Sequence, residues 1–111
     1  MRPDMVRGRL DGLILAVLEE QPRHGYAVIE ALQERSGGAL DLPTGTVYPA
    51  LRRLETAGWL SGTESTVGGR RRRTYRLTRA GRAALTAQRS EWTDFSAVVS
   101  RFLGETPWPA R

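Results

Sequence analysis

The chain has no cysteine and no lysine, a single histidine, and no apolar run longer than the six residues Leu13–Leu18. Each absence removes a class of function. Without cysteine there are no disulfides, thiolate metal sites or cysteine nucleophiles. That usage suits a reducing cytoplasm, the expected location. A membrane span needs about 20 apolar residues, so no membrane partner is expected. The same run is too short for the hydrophobic part of a secretion signal, and Glu19 and Glu20 follow it. His24 has no cysteine or carboxylate cluster at metal-ligand spacing. Neither Gly37-Gly38 nor Gly68-Gly69 has the spacing of a phosphate-binding loop. An enzyme is not expected, nor is a cofactor or a metal. His24 reads as a packing or capping residue at a helix start.

What is present is arginine. The 111 residues carry 17 arginines against 12 acids, a net charge of +5, with 40% hydrophobic residues. This size bounds the chain to one small domain, or a small domain with one appended element. The charge is uneven. Residues 1–57 hold seven Arg and eight Asp or Glu. Between Glu64 and Glu91 lie eight arginines and no acid: Arg70, Arg71, Arg72, Arg73, Arg76, Arg79, Arg82 and Arg89. A local cationic block on a near-neutral body is the footprint of a phosphate-bearing partner. Codon bias explains arginine in place of lysine, but not the missing acids.

The hydrophobic pattern orders the chain. Residues 1–8 show no period and are expected to form a flexible arm. Leu10, Leu13, Ile14, Val17 and Leu18 follow helical spacing, so a helix is expected over 9–20. A second helix is expected from Tyr26 to Arg35, burying Tyr26, Ile29 and Leu32 and ending at Gly37-Gly38. A third should begin with Thr44 as N-cap, bury Val47, Leu51 and Leu54, and stop at Gly58. Its outward side then holds Thr46, Tyr48, Pro49, Arg52 and Arg53. Two strands are expected at 59–66 and 72–78, turned through Val67–Arg71. Thr78 caps a last helix reaching about Leu103. Its seam of Leu85, Trp92, Phe95, Val99 and Phe102 repeats in steps of three and four. Residues 105–111 are expected to be a loose tail.

Helix, helix, helix, hairpin, helix is the layout of a winged helix-turn-helix. The expected fold is mainly α (α+β). It comprises a winged domain at 9–78 with a two-stranded wing and a dimerisation helix at 79–104. Several motifs resemble PadR-type transcriptional regulators: Gly8-Arg9-Leu10, His24-Gly25-Tyr26, Gly45-Thr46-Val47-Tyr48-Pro49-Ala50-Leu51, Arg53-Leu54-Glu55, Gly58-Trp59-Leu60 and the wing up to Arg76-Leu77-Thr78. The single short C-terminal helix resembles the small subfamily. Thr74 stands where family wings carry a first aromatic, and the wing holds one more arginine. The resemblance implies a homodimer that represses transcription and releases DNA when a small effector binds or another signal arrives.

Residue by residue, the third helix is the expected reader, because exposed residues near a helix start meet base edges in the major groove. Thr44, Thr46, Tyr48, Pro49 and Arg52 form the DNA-facing set, with Tyr48 alternatively packing in the helical core. Arg53 either contacts DNA or pairs with Glu55 or Glu34. Arg70, Arg71, Arg72 and Arg73 repel one another unless an anion lies against them, and are expected to grip phosphates or probe the minor groove; a solvated charge run is the plainer reading. Arg79 and Arg82, in the first turn of a helix, face the positive end of its dipole, which also points to an external anion. The last helix cannot be buried by so small a body, so its seam is expected to meet a second copy. Two reading helices about 34–36 Å apart imply an inverted-repeat duplex operator. Multidrug-responsive members of the family have a tryptophan near the position of Trp92. By that resemblance Trp92 pairs with its copy across the dimer to stack on a flat aromatic effector; the alternative is plain interface packing. Glu91 and Asp94, near it on the helix, would favour a cation. The rival to a specific regulator is an arginine-rich binder of any nucleic acid, or an architectural protein. A second rival keeps the fold and makes the chain mainly a protein-binding partner.

Overall fold

The structure, a computed structural model, describes residues 8–104. Apart from Gly8, the expected arm and tail fall outside that range. The elements are α1 (Leu10–Glu20), β1 (Arg23–His24), α2 (Gly25–Arg35), α3 (Thr44–Thr56), β2 (Leu60–Val67), β3 (Arg70–Leu77) and α4 (Arg79–Leu103).

Helix α1 is the axle. It packs against α2, α3, α4 and β3. Because neighbours surround it, Leu15 is buried together with Leu10, Ile14, Val17 and Leu18. A one-sided stripe of apolar residues understates that burial. Helix α2 buries Val28, Ile29, Ala31 and Leu32, but not Tyr26, which is 54% exposed. The His24 imidazole caps α2 by accepting the Ala27 amide at 3.4 Å.

Helices α2 and α3 end in the same way. Gly37 and Gly58 are in the left-handed region, with φ of 65° and 85°. In each, the two amides beyond the cap turn back onto the last-turn carbonyls: Gly37 to Glu34 and Gly38 to Gln33, Gly58 to Glu55 and Trp59 to Leu54. This is the Schellman arrangement, and it satisfies carbonyls that would otherwise lack partners. Helix α3 starts one residue earlier than expected. Pro43 is its N-cap, with no side-chain cap bond, and its carbonyl accepts the amides of Thr46 and Val47. Thr44 therefore lies inside the first turn and does not cap. Pro49 also sits inside α3. Its missing amide cannot donate to the Gly45 carbonyl, and Gly45 is exposed, so water can bond there.

The wing is longer and tighter than expected. Strands β2 and β3 pair without interruption from Leu60 opposite Leu77 to Val67 opposite Arg70. The turn is only Gly68-Gly69, with φ of 58° and 79°. Two positive values in a two-residue loop are what a type I′ turn requires. Arg70 and Arg71 thus belong to the ladder, not to the tip. The sheet has three strands, not two, in the order β1-β3-β2. β1 covers only Thr74 and Tyr75, pairing His24 with Thr74 and Arg23 with Tyr75. The outer half of β3 stays an edge, and its arginines guard it against pairing with other strands.

Helix α4 begins on the body and leaves it. The Thr78 hydroxyl accepts the Gly81 amide at 3.0 Å. Gly81 lies so close to the Trp59 carbonyl that any Cβ would clash with it. Leu85, 3% exposed, is the last residue of α4 in the core cluster. The helix still lies against α1 at Gln88, Arg89 and Trp92, and its last turns project; the described residues measure 52 Å along their longest axis. Among the described residues no helix is long and apolar enough to cross a membrane.

Candidate nucleic-acid interface

The outward side of α3 is open. Thr44, Thr46, Tyr48, Pro49, Arg52 and Arg53 are all exposed, whereas Val47, Ala50, Leu51 and Leu54 face the core. Between this side and the wing lies a cleft of about 450 Å³ lined by His24, Gly25, Tyr26, Tyr48, Arg52, Arg70–Arg73 and Tyr75. It brings together Tyr48, Arg52 and the four wing arginines. Thr44, Thr46 and Pro49 share the exposed side of α3 but do not line the cleft. Tyr48 has its phenol ring over Gly25, where a Cβ would come within 2.9 Å of the ring. The same ring remains 36% exposed, so packing and outward presentation coexist.

Four residues that line the cleft lie outside the expected DNA-facing set: His24, Gly25, Tyr26 and Tyr75. Tyr26 was expected in the core, since an aromatic at a helix start reads as apolar. Its phenol instead stands at the cleft rim. Tyr75 is buried, and burial pushes its pKa above the ordinary value, with the nearby Glu55 carboxylate adding to the rise.

Ion pairs redistribute the arginines. Arg53 turns away and clasps Asp11 of α1 with both nitrogens, at 2.9 and 3.0 Å. Its partner is neither Glu55 nor Glu34, and its side chain stays 58% exposed. Along β3 side chains alternate between faces, and the alternation sorts the four wing arginines. Arg73 forks onto Glu55 of α3, with Nε donating to Oε1 at 3.1 Å and Nη2 donating to Oε2. It also reaches Glu64 at 3.5 Å, and Arg71 pairs with Glu64. Arg70 and Arg72 make no salt bridge among the described residues. The expectation that all four need an external anion is therefore corrected: two are neutralised within the fold. Arg89 likewise binds Glu19 through two bonds, at 3.1 and 2.8 Å. The Glu19 carboxyl is held below its usual pKa by that bond first, with a smaller contribution from Arg82.

The C-terminal seam divides too. Leu85 belongs to its own core, so it is corrected out of the set offered to a partner. Trp92 is 55% exposed and Phe102 81%, with Phe95, Val98 and Leu103 also open and Val99 half-buried. The Trp92 and Phe95 rings lie 6.3 Å apart, and the Arg9 guanidinium stands over both, at 5.5 and 5.7 Å. Such distances are within reach of cation–π attraction. A mostly apolar groove of about 310 Å³ between α1 and α4 is lined by Arg9, Gly12, Leu13, Ala16, Leu85, Gln88, Arg89 and Trp92. Asp94 is exposed and does not line it. The charged residues that line this groove are Arg9 and Arg89.

Three helices on a common core, a three-stranded wing and an exposed third helix beside it define a winged helix-turn-helix protein. The PadR-like transcriptional regulator family matches residues 14–87, and the chain belongs to that family. It is similar to the transcriptional regulator Rv3488 of Mycobacterium tuberculosis, 45% identical over 81 residues, which span 73% of this chain and 63% of that protein. Among solved structures, a transcriptional regulator from Clostridium thermocellum superposes with a TM-score of 0.83 at 27% identity, covering 89% of this chain and 97% of the other. A PadR family regulator from Clostridium difficile gives 0.72 at 34% identity, covering 85% and 97%. The fold is also shared, at 24% identity and a TM-score of 0.66, with Bacillus subtilis PadR, whose structure was solved with operator DNA; the match covers 71% of this chain and 45% of that one.

Proposed function

We propose that this chain is a sequence-specific, DNA-binding transcriptional repressor. It acts as a two-fold dimer on an inverted-repeat operator and lets go of DNA when a small molecule binds. The observation that carries the reading is the pairing pattern at the cleft. Beside the exposed side of α3, Arg52, Arg70 and Arg72 have no internal anion among the described residues, while their neighbours Arg53, Arg71 and Arg73 do. Unpaired guanidiniums next to an open helix suit phosphates and base edges. The fold likeness to a PadR solved with its operator supports the same partner.

The exposed apolar side of α4 supports the dimer, since a row of Trp92, Phe95, Val98 and Phe102 is costly to leave in water. The groove at Trp92 supports an effector site. An aromatic effector there competes with Arg9 for the ring face. Such a regulator works in the cytoplasm, beside the chromosome.

The test is selection of duplexes from a random pool by the purified chain. A specific regulator enriches an inverted repeat with half-sites about one helical turn apart and prefers it by about 10³-fold or more over a scrambled duplex. Equal binding to all duplexes and to RNA would replace this reading with a non-specific nucleic-acid binder.

A further inference from the structure

Arg73 and Glu55 form the one ion pair that joins the wing to α3 among the described residues. The fork is two-pronged, so it fixes direction as well as distance. It is also built into the strand opposite. Arg73 crosses over Gly62 of β2, and a Cβ at position 62 would lie 2.5 Å from Nε and 2.9 Å from Cζ. Gly62 has no positive φ, so its small size serves the passage of the guanidinium and not a backbone turn. Beyond β1 the wing has only its own two strands, and an isolated hairpin is weakly held.

We propose that Glu55 is a specificity-determining positioning residue: it pins the wing at one angle to α3 through Arg73 and withholds that guanidinium from phosphate. This rests on the DNA-binding reading above. A pinned wing and α3 meet only duplexes whose backbone runs at the matching distance and angle. A released wing adapts to any duplex, and the freed Arg73 adds one sequence-blind phosphate contact. Glu55 thus exchanges general affinity for selectivity.

The experiment compares wild type, Glu55→Gln, Gly62→Ala and Arg73→Ala on two duplexes: one selected by the wild-type chain from a random pool, and a scramble of it. Binding is measured across a potassium chloride series. Glu55→Gln and Gly62→Ala should lower the preference for the selected duplex by about tenfold, the scale of one lost base discrimination. They should also steepen the salt slope on the scramble by about 0.9, one phosphate. Arg73→Ala should lower the preference and leave the slope on the selected duplex unchanged. Gly62→Ala is informative because it alters no charge, and thermal melting confirms that each variant folds. Nitrogen-15 spectra supply a DNA-free readout: the Arg73 Nε–H should be resolved in wild type and move to the free-arginine position in Gly62→Ala. A slope made shallower by Arg73→Ala, an unchanged preference in Glu55→Gln and Gly62→Ala, or a free-arginine signal in wild type overturns the proposal. A wild type that binds both duplexes equally overturns the function and this proposal together.

Discussion

The Thr78 hydroxyl donates to the Gly58 carbonyl at 2.6 Å while accepting the Gly81 amide at 3.0 Å. One side chain thereby ties the end of α3 to the start of α4, with the whole wing looped between them. Replacing Thr78 with alanine removes the cap and leaves the Gly58 carbonyl without this donor. The expected loss is about 1–2 kcal/mol, read as a lower midpoint in urea. Thr44→Ala provides the contrast. Since Thr44 caps nothing, its loss should be within about 0.5 kcal/mol.

The two ends of α4 should answer different assays. Leu85 is in the monomer core, so Leu85→Ala should cost about 2–5 kcal/mol of folding stability. Trp92→Ala and Phe102→Ala remove side chains that the chain's own core does not cover. They should weaken dimerisation by about tenfold or more, as loss of buried aromatic anchors does, with little effect on the monomer. Sedimentation velocity across a concentration series, set beside chemical denaturation, separates the two effects.

Much of this architecture was readable locally. Helix ends at Gly37 and Gly58 and the Thr78 cap all follow from neighbours a few residues apart. β1 was not readable, because two residues cannot display a period. The charge pattern overstated the number of free cations for a related reason. Arg73 meets Glu55 across 18 positions, Arg53 meets Asp11 across 42, and Arg89 meets Glu19 across 70. An acid-free stretch in sequence is not acid-free in space. Tyr26 was misplaced because hydrophobicity alone does not say which side of a helix start faces a cleft.

Those ion pairs also give folding stability a dependence on acid. The Arg73 fork holds the Glu55 carboxyl below its usual pKa, helped by the Gly62 backbone amide, and Arg89 does the same for Glu19. A carboxyl depressed in the folded state contributes stability that is complete above the unfolded value, about 4.3. That contribution is lost as pH falls through this value toward the depressed ones. Denaturation midpoints should hold steady from pH 7 to about 5 and then decline. Glu55→Gln and Glu19→Gln should each make the decline shallower. An acid limb identical in both variants would show that these pairs contribute nothing to folding.

Salt dependence should separate the arginines that face DNA from those that hold the fold. Arg52 and Arg72 carry no internal anion among the described residues. Each alanine variant should therefore flatten the slope of log affinity against log salt by about 0.9 for every phosphate lost. Arg53 is clasped by Asp11, so Arg53→Ala should leave the slope as it is. Its cost should appear in stability instead, and it should be small, because an exposed pair contributes at most about 1 kcal/mol. The comparison is best made on one selected duplex between about 50 and 200 mM salt, where several phosphate contacts change affinity by orders of magnitude. A flatter slope for Arg53→Ala would mean that the arginine leaves Asp11 when DNA arrives, and would return it to the reading surface.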